Sequence, residues 1–402
     1  RITAASTQID VKTAKAALLP SLSFSTSQQV VNRPYQETSS RVSGSEIISS
    51  NSKTSYNGNY GLNASWTLYN GNKRLKTIQQ EKLNNQVAEL DVATSENNIQ
   101  ESIAQVYIQI LYAAESVKVN ESTLQVSIAQ RDRGQELLNA GSIAKSDFAQ
   151  LEAQVSTDRY QLLTAQATLE DYKLQLKQLL ELDGENEMNI YLPALSDENV
   201  LAPLPTKKDV YISALSLRPE IEASKLNVEA SELGIGIAKS SYLPTISLSA
   251  GIGTNHTSGS DFTFGEQVKN GWNNSIGLSV SVPIFNNRQT KSAVQKAKLQ
   301  YETSMLSLLD EQKTLYKTIE GLWLDANSAQ QRYAAANEKL KSTQISYELI
   351  SEQFNLGMKN TIELLTEKNN LLQAQQEQLQ AKYMAILNTQ LLKFYQGDQL
   401  AL

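Results

Sequence analysis

The chain has 402 residues, enough for two or three ordinary domains, with 36 Lys and Arg against 42 Asp and Glu and a net charge of −6. That balance argues against a nucleic-acid surface, which needs concentrated positive charge, and the absence of cysteine excludes disulfides, thiolate metal sites and cysteine nucleophiles. No run of about 18 apolar residues suits a single transmembrane helix, and the one histidine, His256, reads as a loop residue among Gly, Thr and Ser.

In chain order, RITAASTQIDVKTAKAALLP reads as the later part of a helix already under way, so a leader and a helical turn or two are expected before it. Residues 1–20 are thus a helix truncated at its start and stopped at Leu19–Pro20, because proline removes an N–H and disfavours helix in the residue before it. Residues 21–70 hold two strands: Leu22 and Phe24 alternate with Ser, and Leu62, Ala64, Trp66 and Leu68 alternate with Asn63, Ser65 and Thr67. Residues 71–181 form a long proline-free helix, a turn at Gly141 and a return helix. A connection rich in Pro, Asp and Glu covers 182–208. Residues 209–243 open the next part as a helix, where Pro219 is tolerable only in a first turn or at a kink. Residues 244–285 again hold two strands. Ile246, Leu248, Ala250 and Ile252 alternate with small polar residues, and so do Ile276, Leu278, Val280, Val282 and Ile284. Residues 286–396 are a second long helix, a turn at Gly357 and a return helix, and 397–402 are a tail.

This order is one plan repeated twice. KAALLPSLSFS at Lys15 matches KSSYLPTISLS at Lys239, and the offset 277 − 61 = 357 − 141 = 216 holds for the strand glycines and the turn glycines alike. Between proline and strand glycine the second copy is shorter, which places the difference in the polar connections near Asn32 to Asn57 and Asn255 to Asn270. Surface loops tolerate such variation.

Opposite their apolar parity the strands carry Ser, Thr, Asn and Gly with almost no charge. An apolar face toward lipid and a small polar face toward water suit an outer-membrane barrel, with Trp66, Tyr69, Trp272 and Phe285 near strand ends as interface aromatics. A soluble four-stranded sheet packed on helices is the alternative. Four strands cannot close a barrel, and an open edge in lipid leaves backbone groups unpaired at several kcal/mol each. Several copies must then share one barrel, and three would supply twelve strands.

The long helices carry a sustained heptad seam. In the second copy it runs through Tyr301, Met305, Leu308, Gln312, Leu315, Ile319, Leu322, Ala326 and onward to Phe354. In the first it runs through Ile103, Tyr107, Ile110, Ala114, Val117, Glu121, Leu124 and Ile128, and the return helix offers Leu151, Val155, Asp158, Leu162 and Leu176. At ~1.5 Å per residue each long helix spans about 100 Å. The return helices are about half that length, so the helices before Pro20 and Pro244 are expected to cover the remainder.

The full pattern resembles the TolC-like outer-membrane efflux proteins. The resemblance rests on both Leu-Pro strand starts, ALSLRPEIEASK at Ala214–Lys225, NAGSIAKSDFAQLEAQ, NLGMKNTIELLTEKNN and the C-terminal LLKFYQG, and it covers essentially the whole chain. It implies a mainly α fold with a membrane β part. Three chains complete a 12-stranded β-barrel continuous with a long α-helical coiled-coil barrel. It also implies a non-enzymatic exit duct in the outer membrane of a Gram-negative type envelope, extending into the periplasm. Its partners are a homotrimer's own copies, outer-membrane lipid, a periplasmic adaptor and an inner-membrane pump, with no cofactor.

In the resembling family the tips close through charges after the second turn glycine: Arg two residues on, then Asp six and nine residues on. The corresponding positions here are Lys359, Glu363 and Thr366, so the second acid is lost, and Glu367 points about 100° away on a helix. Lys145 and Asp147 are the first-copy counterparts. A threefold ring of Glu363 would favour cations and Lys359 could close it; ordinary solvated charge at a helix start is the plainer reading. Gly141 and Gly357 suit helix C-caps, and with Ser142 and Met358 they are the candidate adaptor contacts. LDGEN at Leu182–Asn186 lacks the spacing of a calcium loop, and no Walker motif, catalytic triad or metal cluster is visible. A structural coiled-coil envelope protein and a periplasmic hairpin adaptor remain the rival readings.

Overall fold

Two leucine-proline steps set the boundaries between helix and strand. The computed structural model describes residues 1–35, 39–43, 46–50, 53–182, 190–191 and 200–400. Helix α1 covers Ile2–Ala16 and gives way three residues before Pro20, not at Leu19 as the sequence suggests. Its last turn tightens through bonds from Leu18 N–H to Lys15 O and from Leu19 N–H to Ala16 O, the i→i+3 pattern that often closes helices. Strand β1 (Ser21–Asn32) follows, and in the connection after it β2 (Ser39–Ser43) pairs antiparallel with β3 (Glu46–Ser50). Strand β4 (Thr54–Asn70) leads into the 67-residue helix α2 (Lys73–Asn139) and then α3 (Lys145–Leu179).

The second copy repeats the plan with differences. The single helix expected over 209–243 is two, α4 (Lys207–Leu217) and α5 (Pro219–Ser240). Arg218 between them is extended, at φ −76° and ψ 124°, because the ring of the following proline excludes the helical region, and Pro219 takes the first helical position. Strand β5 (Thr245–Thr257), the short helix α6 (Phe264–Asn270) and strand β6 (Asn273–Ser281) come next. Helices α7 (Gln289–Asn355) and α8 (Thr361–Gln396) end the series. Most of the 182–208 connection, including 183–186 of LDGEN, lies outside the described residues, as do 401–402 of the tail.

The chain divides into two units. The first comprises Arg1–Leu90 and Ala223–Leu308. Its sheet is antiparallel in the order β1-β4-β5-β6, and the register sorts the residues by face. Trp66 opposes Leu248, which opposes Leu278; Ala64, Ala250 and Ile276 form the next row. Leu22 opposes Ala64 and Phe24 opposes Leu62. The other parity aligns Ser65, Ser249 and Gly277, then Asn63, Gly251 and Ser275. Small polar groups bond there: Ser21 and Ser65 hydroxyls lie 3.2 Å apart, and the Ser249 hydroxyl donates to Gly277 O at 3.3 Å.

Two strand expectations need correction. The alternation does not run through Leu68: a bulge inserts that residue, after which Tyr69 opposes Ile246. The fourth strand stops at Ser281, so Val282 and Ile284 lie beyond it; Pro283 has no N–H to continue the ladder. His256 is not in a loop. It lies within β5 opposite Gly58, and its ring occupies the space a Cβ on Gly58 would need. Tyr60 stacks with it at 6.0 Å and Phe264 of α6 meets it edge-on at 5.1 Å.

The second unit comprises Asp91–Glu222 and Leu309–Leu402, and α8 is its centre. Tyr383, Ala385, Ile386 and Leu391 of α8 pack with Ile108 and Leu111 of α2 and with Ala329 and Tyr333 of α7. Further along, Leu392 and Tyr395 join Val210 and Ala214 of α4, Ile221 of α5 and Leu315, Ile319 and Ala326 of α7. From Leu308 onward the expected seam of α7 lies on its buried or half-buried face, whereas Met305 before it is exposed. In α2 the expected seam is too narrow: Glu121 is exposed, while Ala104, Ile108, Leu111, Asn120, Thr123 and Ser127 are buried. The Asn120 and Thr123 side chains donate to the carbonyls four residues back, at 2.7 and 2.8 Å, which lets polar residues sit there.

Arg218, 7% exposed, fixes the α4–α5 break. It donates to Glu220 at 2.8 Å and Glu101 at 3.1 Å, and its guanidinium lies 4.0 Å from the Tyr395 ring centroid. Between α2 and α3, the side chain of Leu151 fills the space over Gly134. Gly134→Ala should therefore overpack that contact at a cost of roughly 1–3 kcal/mol, although alanine is the better helix former. Thermal melting of the helical circular dichroism in detergent should show a lower midpoint, and Leu151→Ala in the same chain should reduce the added cost.

Candidate functional site

The candidate positions fall at the two helical turns and on the sheet. Each turn is built by its glycine. Gly141 and Gly357 have φ of +71° and +74°, the left-handed region that glycine enters without steric cost. Ser142 N–H reaches Leu137 O at 2.8 Å and Gly141 N–H reaches Leu138 O at 3.0 Å; Met358 to Gln353 and Gly357 to Phe354 repeat the pair at 2.8 and 2.9 Å. Both copies therefore end their long helix in the same Schellman arrangement.

The two return helices start differently. Asn360 caps α8: its Oδ1 accepts from Glu363 N–H at 2.9 Å, and Glu363 Oε2 accepts from Asn360 N–H at 3.2 Å. Lys359 Nζ donates to the other Glu363 oxygen at 2.5 Å. The Lys359 ammonium, and then the Asn360 backbone bond, hold the Glu363 carboxyl below its ordinary range. In α3, Asp147 accepts from Ala144 N–H at 3.3 Å, but Ala144 has no side-chain oxygen to cap the helix in return. Thr366 donates back to Ile362 O at 2.8 Å, and Glu367 accepts from Ser346 of α7 at 3.1 Å. Lys145 is exposed at the start of α3. The structure thus joins Lys359 with Glu363 and ties Asp147 to its own turn; among the described residues neither pair crosses to the other hairpin.

A charge that does cross was not among the expected residues. Lys368 of α8 and Asp158 of α3, 3% and 1% exposed, form an ion pair joined by the hydroxyl of Ser127 on α2. Ser127 Oγ donates to Asp158 Oδ2 at 2.5 Å, and Gln154 Nε2 donates to Oδ1 at 2.9 Å. Burial pushes the Lys368 ammonium pKa down, and the bond to Asp158 opposes that shift. The available signal was a charged residue, Asp158, at an apolar register position of the return helix.

On the sheet, the apolar rows are open. Leu22, Phe24, Ile276 and Leu278 are each at least 63% exposed, where a packed core would cover them. Trp66, Tyr69 and Phe285 lie near the end from which α2 and α7 depart, and Trp272 lies at the other end, just before β6. Trp66 also donates from Nε1 to Leu18 O at 2.7 Å. Beside it, the Arg74 guanidinium reaches Ala17 O at 2.8 Å and also bonds Thr67 O, which secures the α1–β1 junction. Among the described residues no group of three or more His, Asp or Glu could hold a metal ion, and no helix is long and apolar enough to cross a membrane.

A family model described as outer membrane efflux protein matches residues 1–181 and 210–397. The outer membrane efflux protein BepC of Brucella suis is 24% identical over 294 residues, covering 73% of this chain and 61% of the relative. The outer membrane protein TolC of Escherichia coli is 22% identical over 311 residues, covering 75% and 62%. The chain thus spans about three fifths of the length of these curated relatives. Among solved structures, the CmeC outer membrane channel of Campylobacter jejuni superposes with a TM-score of 0.78 at 18% identity, over 100% of this chain and 83% of that one. At that identity the likeness establishes the fold: mostly helical, with a four-stranded antiparallel sheet in each chain.

The depressed Glu363 pKa sets a direction for acid. Its contribution to the α8 start is present above the ordinary value of 4.5 and is lost as pH falls through the lowered one. Hydrogen-exchange protection at the Glu363 and Leu364 amides should fall on acidification through that range, and Glu363→Gln should make it insensitive to pH there.

Proposed function

The chain belongs to the outer membrane efflux protein family, and from that premise we propose that three copies close one twelve-stranded barrel in the outer membrane and form a passive exit duct. One observation carries the reading. β1 and β6 are the outer strands of a sheet whose apolar face is exposed and whose other face is Ser, Asn, Thr and Gly. In lipid, neither edge can remain unpaired. Antiparallel pairing of β6 with β1 of the next copy satisfies both and repeats around a ring. Two copies would give eight strands, an interior that side chains fill; twelve leave a lumen lined by the small polar face.

In this reading the sheet sits in the outer membrane, with Trp66, Tyr69 and Phe285 at one interface and Trp272 at the other. The turns at Gly141–Ser142 and Gly357–Met358 face a periplasmic adaptor that links the duct to an inner-membrane pump. Leu356, Met358 and Ile362 are all exposed at the second turn, so that turn offers the larger apolar contact. Lys359 and Glu363 form the aperture, with Lys145 and Asp147 on the first-copy turn beside it. Thr366 and Glu367 lie deeper and add no second acidic ring, because Glu367 is engaged with α7. The duct carries no catalytic group, and its cargo, small molecules or polypeptides, is driven by the pump.

A detergent-solubilised trimer of about 133 kDa, three times 44.4 kDa, that conducts in a planar bilayer is the expected result. A water-soluble monomer or dimer without conductance would overturn the proposal. Leu278→Lys should reduce assembled trimer, since a lysine on a lipid face costs up to about 4 kcal/mol with depth, whereas Ser279→Lys on the opposite parity should leave assembly intact and shift ion selectivity. Glu363→Gln should weaken cation preference in an intact trimer; unchanged selectivity would remove Glu363 from the aperture.

A further inference from the structure

On β5 the aliphatic row of the apolar face is too short for a membrane. It begins at Ile246, opposite Tyr69, and ends at Ile252, opposite Leu62. Over those residues the strand rises about 20 Å. At the tilt of barrel strands, about 40°, that covers about 15 Å of depth, whereas the apolar band of an outer-membrane barrel is about 25 Å tall. The remaining depth is reached only at His256. On the way the same face offers Thr254 opposite Tyr60, and then His256 itself opposite Gly58.

Helix α6 covers both positions. It folds back onto the apolar face: Thr254 Oγ1 donates to Val268 O at 2.7 Å, and the Phe264 ring lies edge-on to His256 and, at 6.5 Å, to Tyr60. Gln267 Oε1 accepts from Thr257 N–H at 2.9 Å. The ends of α6 are satisfied from within, since Thr263 and Glu266 form a capping box and Gly271 N–H reaches Gln267 O at 2.7 Å. At about 100° per residue Val268 shares the side of Phe264, while Glu266 and Lys269 fall on the opposite side, and both of these are exposed. Phe262, Phe264 and Trp272 are each more than half exposed. Open aromatics beside a charged helix face suit a segment that lies in the plane of a membrane surface.

We propose that α6 is an interfacial foot, seated on the lipid side of the sheet where the acyl chains of the outer leaflet meet the headgroups. Glu266 and Lys269 sit among the headgroups, and Phe262, Phe264 and Trp272 enter the acyl edge. The polar groups of Thr254 and Thr257 are kept from lipid by their bonds to the foot. This rests on the duct reading and adds to it the device that fixes how deep the barrel sits. The partner is outer-leaflet lipid; α6 does not roof the outer mouth of the duct.

The chain has no cysteine, so spin labels can be placed singly through Phe262→Cys, Leu278→Cys and Ser279→Cys in the full chain, reconstituted in dioleoylphosphatidylcholine vesicles. Collisions with oxygen, which partitions into lipid, are compared with collisions with a water-soluble nickel chelate. The Phe262→Cys label should favour oxygen several-fold more than the Ser279→Cys label, as the Leu278→Cys label does. A Phe262→Cys label as open to the chelate as the Ser279→Cys label, with Leu278→Cys in lipid, would overturn the foot and leave the duct standing. A Leu278→Cys label open to the chelate would overturn both.

A second measurement needs no label. Phe262→Ser with Phe264→Ser should lower the thermal midpoint of the assembled protein by several degrees more in dioleoyl lipid than in the thinner dimyristoleoyl lipid, because the shortened band then fits only the thinner bilayer. An equal shift in the two lipids would refute the foot.

Discussion

A strand without a neighbour leaves alternate N–H and C=O groups unpaired, and β1 and β6 each have one neighbour and one free side. In water that edge is tolerable; beside an open apolar face in lipid it is not. The need to pair those two edges governs the rest of the molecule. In the proposed barrel it makes the sheet a fragment of a closed ring, draws the missing strands from further copies of the chain, and puts the small polar face on the enclosed space. The register supports this division: Trp66, Leu248 and Leu278, and Ala64, Ala250 and Ile276, form apolar rows across three strands, with small polar rows between them.

The helical unit meets a different demand. A helix pair of this length must hold its register along many turns, and α8 does so by burying apolar residues against α2, α4, α5 and α7 in two successive clusters. Toward the turns, buried polar groups sit among the apolar ones and are bonded individually: Asn120 and Thr123 to their own backbone, Ser127 to Asp158. Apolar packing is permissive about small slips, but a lysine that must meet one carboxylate and one hydroxyl is not. Arg218, between two glutamates and over Tyr395, does the same at the α4–α5 break.

Much of this was legible because the governing signals are periodic. Strand parity, the termini of α2 and α7 within a few residues, and the left-handed turns at Gly141 and Gly357 follow from patterns of two, of three and four, and from glycine itself. The missed features each depend on a partner that a one-dimensional pattern does not name. The bulge at Leu68 reflects pairing with β5. His256 read as loop because its sequence neighbours are small and polar, yet the residue that makes room for its ring is Gly58, opposite it on β4. The β2–β3 hairpin and α6 fill connections whose polarity said only that they lie at a surface. Lys368 follows Glu367 in a run of charged and polar residues, and only the position of Asp158 across α3 distinguishes it. The break at Arg218 was half visible: proline announced it, but a single long helix with a kink fitted the same letters.

The two helical turns have one further property. Around the position a side chain would take on Gly141 or Gly357 there is no atom within 4 Å. The glycines are held by backbone torsion alone, and the bonds that close the turns run between main-chain groups. The neighbouring side chains at 142 and 358 are thus free of structural duty. Mutation can rewrite the chemistry of these exposed residues without disturbing the helices beneath, so the turns can vary in sequence while the scaffold is inherited unchanged.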